Sequence, residues 1–166
     1  MLTQDDINFL ESLSEQDANR VIHIYPYDPN AEDVSSELIQ EITKALPQAR
    51  VHFIGSAALK IAGEKDIDLI ILLQKDKHEE AVSVLTHIYG SPKSPHKWHF
   101  QKGSFEVSLF LFQPDHPKAL RWLSNFEKLK NNRDMSAKYE SLKMKYEGKT
   151  AKEYEMAKTE FINSIQ

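Results

Sequence analysis

The sequence predicts an α/β (α+β) fold, in which helices flank a mixed β-sheet and a helical C-terminal tail follows it. Strand-like and helix-like segments alternate in residues 20–113, where the apolar run 69–73 predicts a strand buried on both faces. In residues 114–166 the apolar side chains recur at helical spacing. We therefore expect one domain, with an accessory helix in residues 1–19, a sheet core in 20–113 and a helical tail in 114–166.

The elements of the first half follow from apolar spacing and turn residues. Residues 3–13 carry apolar side chains at helical spacing behind acidic residues and predict the leading helix. Residues 21–25 are β-branched and aromatic and precede a proline, so they predict a short strand or an extended lead-in. Further on, the same criteria predict a helix over 34–46, a strand over 50–54 and a short helix over 56–62 that ends at Gly63.

The second half begins with the most apolar strand of the chain, predicted over residues 67–73. A helix over 79–89 ends at glycine and proline, and strands over 97–101 and 105–112 form a hairpin through a short glycine-containing turn. Three apolar stripes at helical spacing then predict three tail helices, around residues 120–129, 139–146 and 154–165.

Composition narrows the classes of function. The chain has 166 residues, 40% of them hydrophobic, and a net charge of -4, so it lacks the basic surface of a general nucleic-acid binder. The absence of cysteine excludes disulfides, thiolate metal sites and a cysteine nucleophile. No apolar run is long enough for a membrane span, and no secretory leader is recognisable, so we expect a cytoplasmic protein without a membrane partner.

Gly55-Ser56, followed by Asp66 and Asp68, is the most informative motif. Alternate positions of a strand share one face, about 6.6 Å apart at ~3.3 Å per residue, so both aspartates can bind one Mg²⁺. Gly55-Ser56 lies between a strand and a helix, where backbone N–H groups can bind phosphate. The combination predicts nucleotidyl transfer; the alternative is a tight turn at Gly55, a helix cap at Ser56 and a solvated aspartate pair.

The chain resembles the DNA polymerase beta-like nucleotidyltransferases, whose Gly-Ser and Asp-x-Asp motifs correspond to Gly55, Ser56, Asp66 and Asp68. Within them it is most similar to the GrpB family, and the likeness runs from Val21 almost to the C-terminus. Besides the motif, the matching segments are 25–29, 54–58, 65–68, 132–134, 139–143 and 154–162. The resemblance implies a nucleotidyltransferase fold that transfers a nucleoside monophosphate from an NTP to an unspecified acceptor with Mg²⁺.

The chain departs from the usual GrpB pattern in the motif. Ala57 replaces a threonine, the Val-Pro-Gly turn is absent, the loop is one residue shorter, and Asp66 is an additional carboxylate. The extra carboxylate moves the motif toward the general nucleotidyltransferase pattern, because two carboxylates bind Mg²⁺ better than one.

The resemblance also implies a third carboxylate ligand on a later strand. Period two in 105–112 places Glu106 opposite the apolar face, and Glu106 is our candidate, with Asp115 as the weaker substitute. The alternative is that Glu106 is an ordinary residue on a half-exposed strand. His96 and His99 form the only close histidine pair, whose spacing is a poor match to a zinc site.

Cations in the matching tail segments are candidates for phosphate binding. Arg133, Lys143 and Lys158 could close over a triphosphate, although each lysine could instead snorkel from a packed helix face into water. In the leading hypothesis Asp66, Asp68 and Glu106 bind metal and act in catalysis, while Gly55 and Ser56 hold phosphates.

Two other classes of function remain open in the sequence. The first is a non-catalytic module that keeps the fold and binds a nucleotide or a phosphorylated metabolite. The second is an interaction protein that uses the acidic leading helix. A third carboxylate in the cleft of Asp66 and Asp68 would favour the enzyme, and an empty or apolar third position would favour the binding module.

Overall fold

A computed structural model of the chain, which describes residues 1–165, contains a four-stranded mixed sheet between helices. The strands are β1 (Arg50–Ile54), β2 (Asp66–Leu72), β3 (Lys97–Lys102) and β4 (Phe105–Phe112). Their order is β1-β2-β4-β3; β2 and β4 are parallel, and the two outer pairs are antiparallel. The predicted mixed α/β class is confirmed.

The helices follow the predicted order, with one addition. They are α1 (Gln4–Ser12), α2 (Glu15–Asn19), α3 (Asn30–Ala45), α4 (Gly55–Ala58), α5 (His78–Tyr89), α6 (Pro117–Lys130), α7 (Arg133–Lys145) and α8 (Ala151–Ser164). Local side-chain chemistry explains where several of these helices begin. Thr3 and Thr150 form capping boxes for α1 and α8, and α6 begins at a proline. None of the helices in the described part of the chain has the length and apolar character to cross a membrane.

The central strand β2 is buried on both faces because it lies between β1 and β4 and under helices on each side. On one face Ile67, Leu69 and Ile71 join the main core with residues of α3, α5, β3 and β4. On the other face Ile70 and Leu72 pack with Ala119 and neighbouring rings of α6. This burial on both faces confirms the prediction from the apolar run. The polar side chains of β2 are confined to its first residues, Asp66 and Asp68.

The connection between β1 and β2 is tighter than predicted. The helix α4 ends at Ala58 rather than near Gly63, and Lys60 and Lys65 adopt positive φ. Because β1 and β2 are antiparallel neighbours, the chain must reverse direction within eleven residues, 55–65, which leaves room for one helical turn.

Residues 21–25 form an extended segment rather than a strand of the sheet, which is the second of the two predicted alternatives. Val21 bridges Thr150 at one end, and Tyr25 bridges Gly63 at the other. Between these ends Ile22 is fully buried against Tyr154 of α8. We call residues 21–25 the linking segment, since it joins the tail to the loop before β2.

We expect Leu69→Ala in the centre of β2 to lower the free energy of unfolding by about 2 to 5 kcal/mol, because Leu69 is fully buried and the change leaves a cavity. Leu120→Ala removes the same atoms from a side chain that is 50% exposed and should change stability by less than about 0.5 kcal/mol. Urea denaturation followed by circular dichroism measures both. Equal losses would contradict the burial assigned to β2.

Candidate active site

The strand register brings the predicted carboxylates to one face of the sheet. Asp66 and Asp68 begin β2, and in the parallel partner β4 they lie beside Glu106 and Ser108, respectively. Side chains at paired positions of neighbouring strands point to the same face. The same face continues across β1, where Ile54 is paired with Asp68 and directly precedes Gly55.

Gly55 brings its backbone directly against Asp68. Its φ is +85°, and a Cβ added to it would lie 2.8 Å from Oδ2 of Asp68. Any other residue would therefore strain the backbone and collide with the carboxylate. The glycine thus gives both the tight turn of the alternative interpretation and open space beside Asp68.

Ser56 is a buried residue inside α4 rather than its N-cap, a position that Ile54 occupies. A Cβ on Gly63 would lie 2.7 Å from Cβ and 3.0 Å from Oγ of Ser56. Gly63 therefore makes room for Ser56, instead of ending the helix as predicted.

Burial raises the pKa of Asp68 to about 8, and the charge of Asp66 adds to this increase. The ammonium groups of Lys158, Lys97 and Lys143 act in the opposite direction without overcoming it. Neither the Asp66 nor the Asp68 side chain makes a hydrogen bond or an ion pair with another residue in the range 1–165. The negative charge of Asp66 and Asp68 is therefore only partly compensated, and their carboxylate oxygens are suitable ligands for a hard divalent cation.

The tail places two lysines where they face this pair. The Lys143 side chain is only 4% exposed, so it does not snorkel into water, and its Nζ donates a hydrogen bond of 2.8 Å to Oη of Tyr154. Nζ of Lys158 lies 2.8 Å from Oε1 of Glu155 and 5.0 Å from the centre of the Tyr154 ring. The buried Tyr154 therefore organises both ammonium groups.

The two lysines remain cationic in spite of their surroundings. Burial lowers the pKa of Lys143, but Tyr139 and Tyr154 outweigh it, and the pKa is raised overall. Burial likewise lowers the pKa of Lys158, but Glu155 and the tyrosines raise it well above its usual range. Both residues thus carry permanent positive charge opposite Asp68 at neutral pH.

Glu106 is on the predicted face, but its carboxylate turns toward β3. The side chain is 61% exposed, with Oε2 lying 3.9 Å from Nε2 of His99, whose Nδ1 is 3.1 Å from Oγ of Ser108. No three His, Cys, Asp or Glu side chains within residues 1–165 converge as a metal-ligand set. The structure therefore places Glu106 next to Asp66 in register without gathering the three carboxylates around one point.

The structure separates the remaining candidates from the site. Arg133 is exposed at the first residue of α7, and among the described residues its side chain makes no hydrogen bond or ion pair with Asp66 or Asp68. Asp115 is exposed in the turn between β4 and α6.

Two residues near the aspartates were missed from the sequence. Burial raises the pKa of Glu64, which forms an ion pair of 3.1 Å with Arg20 and feels the charge of Asp66. Lys97 lies on β3 and acts electrostatically on Asp68. The alternation of β3 and β4 places Lys97 and Glu106 on the same face and was a usable signal; the burial of Glu64 had none.

Comparisons with known proteins agree with this architecture. The family model described as GrpB protein matches residues 21–166. The crystal structure of the conserved protein GrpB from Enterococcus faecalis matches with a TM-score of 0.64 and 20% identity, over 86% of this chain and 93% of that chain. This likeness shows a shared fold. No curated protein sequence matches the chain.

Two Cid1 structures also match, at lower similarity. Cid1 in complex with the UTP analogue UMPNPP has a TM-score of 0.49 and 14% identity, over 84% of this chain and 42% of that chain. The Cid1 poly(U) polymerase crystal structure has a TM-score of 0.48 and 13% identity, over 86% of this chain and 44% of that chain. Both matches span less than half of Cid1 and carry no conclusion about chemistry here.

Asp68→Asn should make the protein more stable at pH 8, because it removes a buried charge that the fold disfavours. Between about pH 4 and pH 8 the folded protein keeps the Asp68 proton that the unfolded chain has released, so the free energy of unfolding of the wild type falls as pH rises. We expect Asp68→Asn to flatten this dependence and to gain about 1 kcal/mol or more, or about 2 to 4 °C in Tm.

Thermal unfolding from pH 5 to pH 8.5 with EDTA measures this effect. Asp115→Asn removes the same charge from an exposed turn and serves as the matched control. A lower Tm for Asp68→Asn than for the wild type at pH 8 would contradict the assigned burial.

Gly55→Ala should destabilise the protein more than Gly90→Ala does. The two glycines have φ values of +85° and +86°, so both alanines suffer the strain of a positive φ, but nothing lies within 4 Å of a Cβ at Gly90. The additional collision with Asp68 should cost about 1 to 3 kcal/mol. Urea denaturation of the two variants gives the difference, and equal losses would show that Asp68 moves away freely.

Proposed function

The chain belongs to the GrpB family, and we propose that it transfers a nucleoside monophosphate from an NTP to an acceptor in a Mg²⁺-dependent reaction. The observation that carries the proposal is the pair Asp66 and Asp68, which lacks a protein partner and faces the cationic Lys143 and Lys158. Nucleotidyl transfer requires carboxylates that bind a metal and, opposite them, cationic groups that bind the phosphates.

Asp66 and Asp68 would hold Mg²⁺, which when bound neutralises phosphate charge and favours in-line displacement at the α-phosphorus. Their fit rests on the raised pKa of Asp68 and on the space that Gly55 leaves beside its Oδ2. Because Gly55 lacks a side chain, the phosphates of an NTP can approach both the start of α4 and the carboxylates.

Lys143 and Lys158 would neutralise the triphosphate from the tail side. Their ammonium groups are already oriented by Tyr154, so little side-chain entropy is lost when a phosphate binds. Ser56 contributes through the backbone of α4, since its own side chain is packed against Gly63. Arg133 is a weaker candidate, because it is exposed at the far end of α7.

Glu106 would act as the third carboxylate. Its Cα is paired with Asp66 in the sheet, and its exposed side chain is free to turn from His99 toward the aspartates. In that position it would accept the proton of the acceptor hydroxyl or complete the ligand set of the metal. The register with Asp66 supports this role, since it puts a carboxylate-bearing residue rather than an apolar one beside the pair.

The second candidate is a non-catalytic module that binds a nucleotide or a phosphorylated metabolite. It is favoured by the orientation of Glu106 toward His99 at 3.9 Å, which leaves two carboxylates rather than three at the start of β2. The two functions share the phosphate site and differ only in the role of Glu106.

Thermal shift with each NTP and Mg²⁺, compared with the same nucleotide and EDTA, tests the shared site. A ligand at 100 times its Kd stabilises the folded state by about 2.7 kcal/mol, which is about 5 to 10 °C in Tm for a chain of this length. We expect at least one NTP to produce this shift in the wild type and in Asp115→Asn but not in Asp68→Asn. No shift with any NTP would contradict the enzyme and the nucleotide-binding form of the module.

Glu106→Gln separates the enzyme from the binding module. The variant should bind NTP and Mg²⁺ as the wild type does, but transfer of label from α-³²P-NTP to a metabolite extract should fall by about 100-fold or more. A wild type that binds NTP without any transfer would favour the binding module.

A further inference from the structure

A second cluster of charge lies on the same face of the sheet, beyond the aspartates. Nζ of Lys97 is 5.0 Å from the centre of the Phe110 ring, and Nζ of Lys118 is 4.9 Å from the centre of the Trp122 ring. The two rings contact each other edge to face, with their centres 5.0 Å apart. Two ammonium groups therefore stand at the two ends of one aromatic pair.

Two more cations adjoin this pair. Lys93 acts electrostatically on Lys97, to which it is joined by a backbone hydrogen bond of 2.9 Å, and Arg121 acts on Lys118 one helical turn away. We call Lys93, Lys97, Lys118 and Arg121, with the two rings, the basic cluster.

The cations of the basic cluster have no carboxylate partner. Within residues 1–165 none of the four forms an ion pair, although nine ion pairs form elsewhere in a chain whose net charge is -4. The carboxylates that act on them from a distance are Asp68 and Glu155 on Lys97, Asp5 on Lys118, and Asp6 on Arg121. Like charges grouped without partners cost free energy unless an anion binds between them.

We propose that the basic cluster is an anion subsite that binds the phosphate group of a small phosphorylated acceptor. The acceptor assignment rests on the proposed function, whereas the anion site itself does not. Lys97 connects the two sites, since it belongs to the basic cluster and acts electrostatically on Asp68. A phosphate held at the basic cluster therefore anchors the acceptor on the face that carries the carboxylates.

The rings favour a small phosphorylated molecule over a nucleic-acid strand. Single-stranded nucleic acids bind by stacking bases on open aromatic faces. Here the faces of Phe110 and Trp122 are covered by the ammonium groups of Lys97 and Lys118, so the rings orient cations instead of stacking bases.

The electrostatics of Lys97 agree with this assignment. Burial lowers the pKa of Lys97, and the charges of Lys93 and Lys118 lower it further, while Asp68 and Glu155 raise it. Partial desolvation and the charge of Arg121 lower the pKa of Lys118, while Asp5 raises it. A bound phosphate would relieve this repulsion and raise the pKa of both lysines.

Binding of inorganic pyrophosphate, measured by isothermal titration calorimetry at low salt with EDTA and without nucleotide, tests the anion site. We expect Lys97→Met and Lys118→Met each to weaken binding by about fivefold or more, because each removes one phosphate contact. Lys130→Met is the matched control: Lys130 also lies on α6 over a ring, 6.0 Å from the centre of Phe126, but it is paired with Glu127 at 3.7 Å. Its affinity should stay unchanged.

Three results would overturn the anion site: no binding by the wild type, unchanged binding by Lys118→Met, or an equal loss in Lys130→Met. Lys118 is exposed, so this variant decides the question even if Lys97→Met does not fold. A single-stranded oligonucleotide that binds through Lys97 and Lys118 more tightly than pyrophosphate would overturn the small-molecule assignment.

The variant Asp68→Asn distinguishes a failure of the proposed nucleotidyl transfer from a failure of the proposed anion site. At pH 8.5, where the Asp68 carboxyl is largely ionised, pyrophosphate should bind this variant at least as tightly as the wild type, because a nearby negative charge is removed. If the wild type shows no nucleotidyl transfer but binds pyrophosphate through Lys97 and Lys118, the proposed function fails and the anion site stands. Loss of pyrophosphate binding in Asp68→Asn would show that binding depends on the Asp68 side chain and would overturn the assignment to the basic cluster.

Discussion

The burial of the Asp68 carboxylate at the start of the central strand is the constraint on which the site depends. Burial and the neighbouring Asp66 both disfavour its charge, and three lysines compensate only in part. Gly55 must lack a side chain because its backbone lies against the same carboxylate. The lysines of the tail and the glycine at position 55 thus both accommodate one acidic group.

The tail is part of the site rather than a separate layer. Ile61, from the loop between α4 and β2, packs with Leu129 and Tyr139 of the tail helices. Glu140 accepts a hydrogen bond of 2.7 Å from the backbone N–H of Ala62 in the same loop. These contacts fix the distance between the aspartates and the two tail lysines, so a substitution in the tail core would be felt at the carboxylates.

The sequence predicted what depends on local pattern and missed what depends on distant contacts. Strand alternation placed Asp66 and Asp68 on one face of β2 and Glu106 opposite the apolar face of β4, and apolar spacing gave the tail helices. That the three residues share one face of the sheet follows from the pairing of β2 with β4. The burial of Lys143 could not be predicted, because a lysine after an apolar stripe is equally compatible with snorkelling until Tyr154 is known to lie beside it. Lys97, by contrast, could have been found from the alternation of the predicted hairpin β3–β4, which places it on the face of Glu106.

The linking segment sets the distance between the tail and the loop before β2. It is tied to the tail by backbone hydrogen bonds between Ile22 and residues 148–149, and to the loop before β2 by two hydrogen bonds between Tyr25 and Gly63. Four steps of extended chain between its two bridges span about 13 Å at ~3.3 Å per residue. The number of residues in the linking segment therefore sets the separation between the carboxylates and the tail lysines. Deleting one residue from this segment would shorten the span and would also turn the side chain of Ile22 out of its buried position.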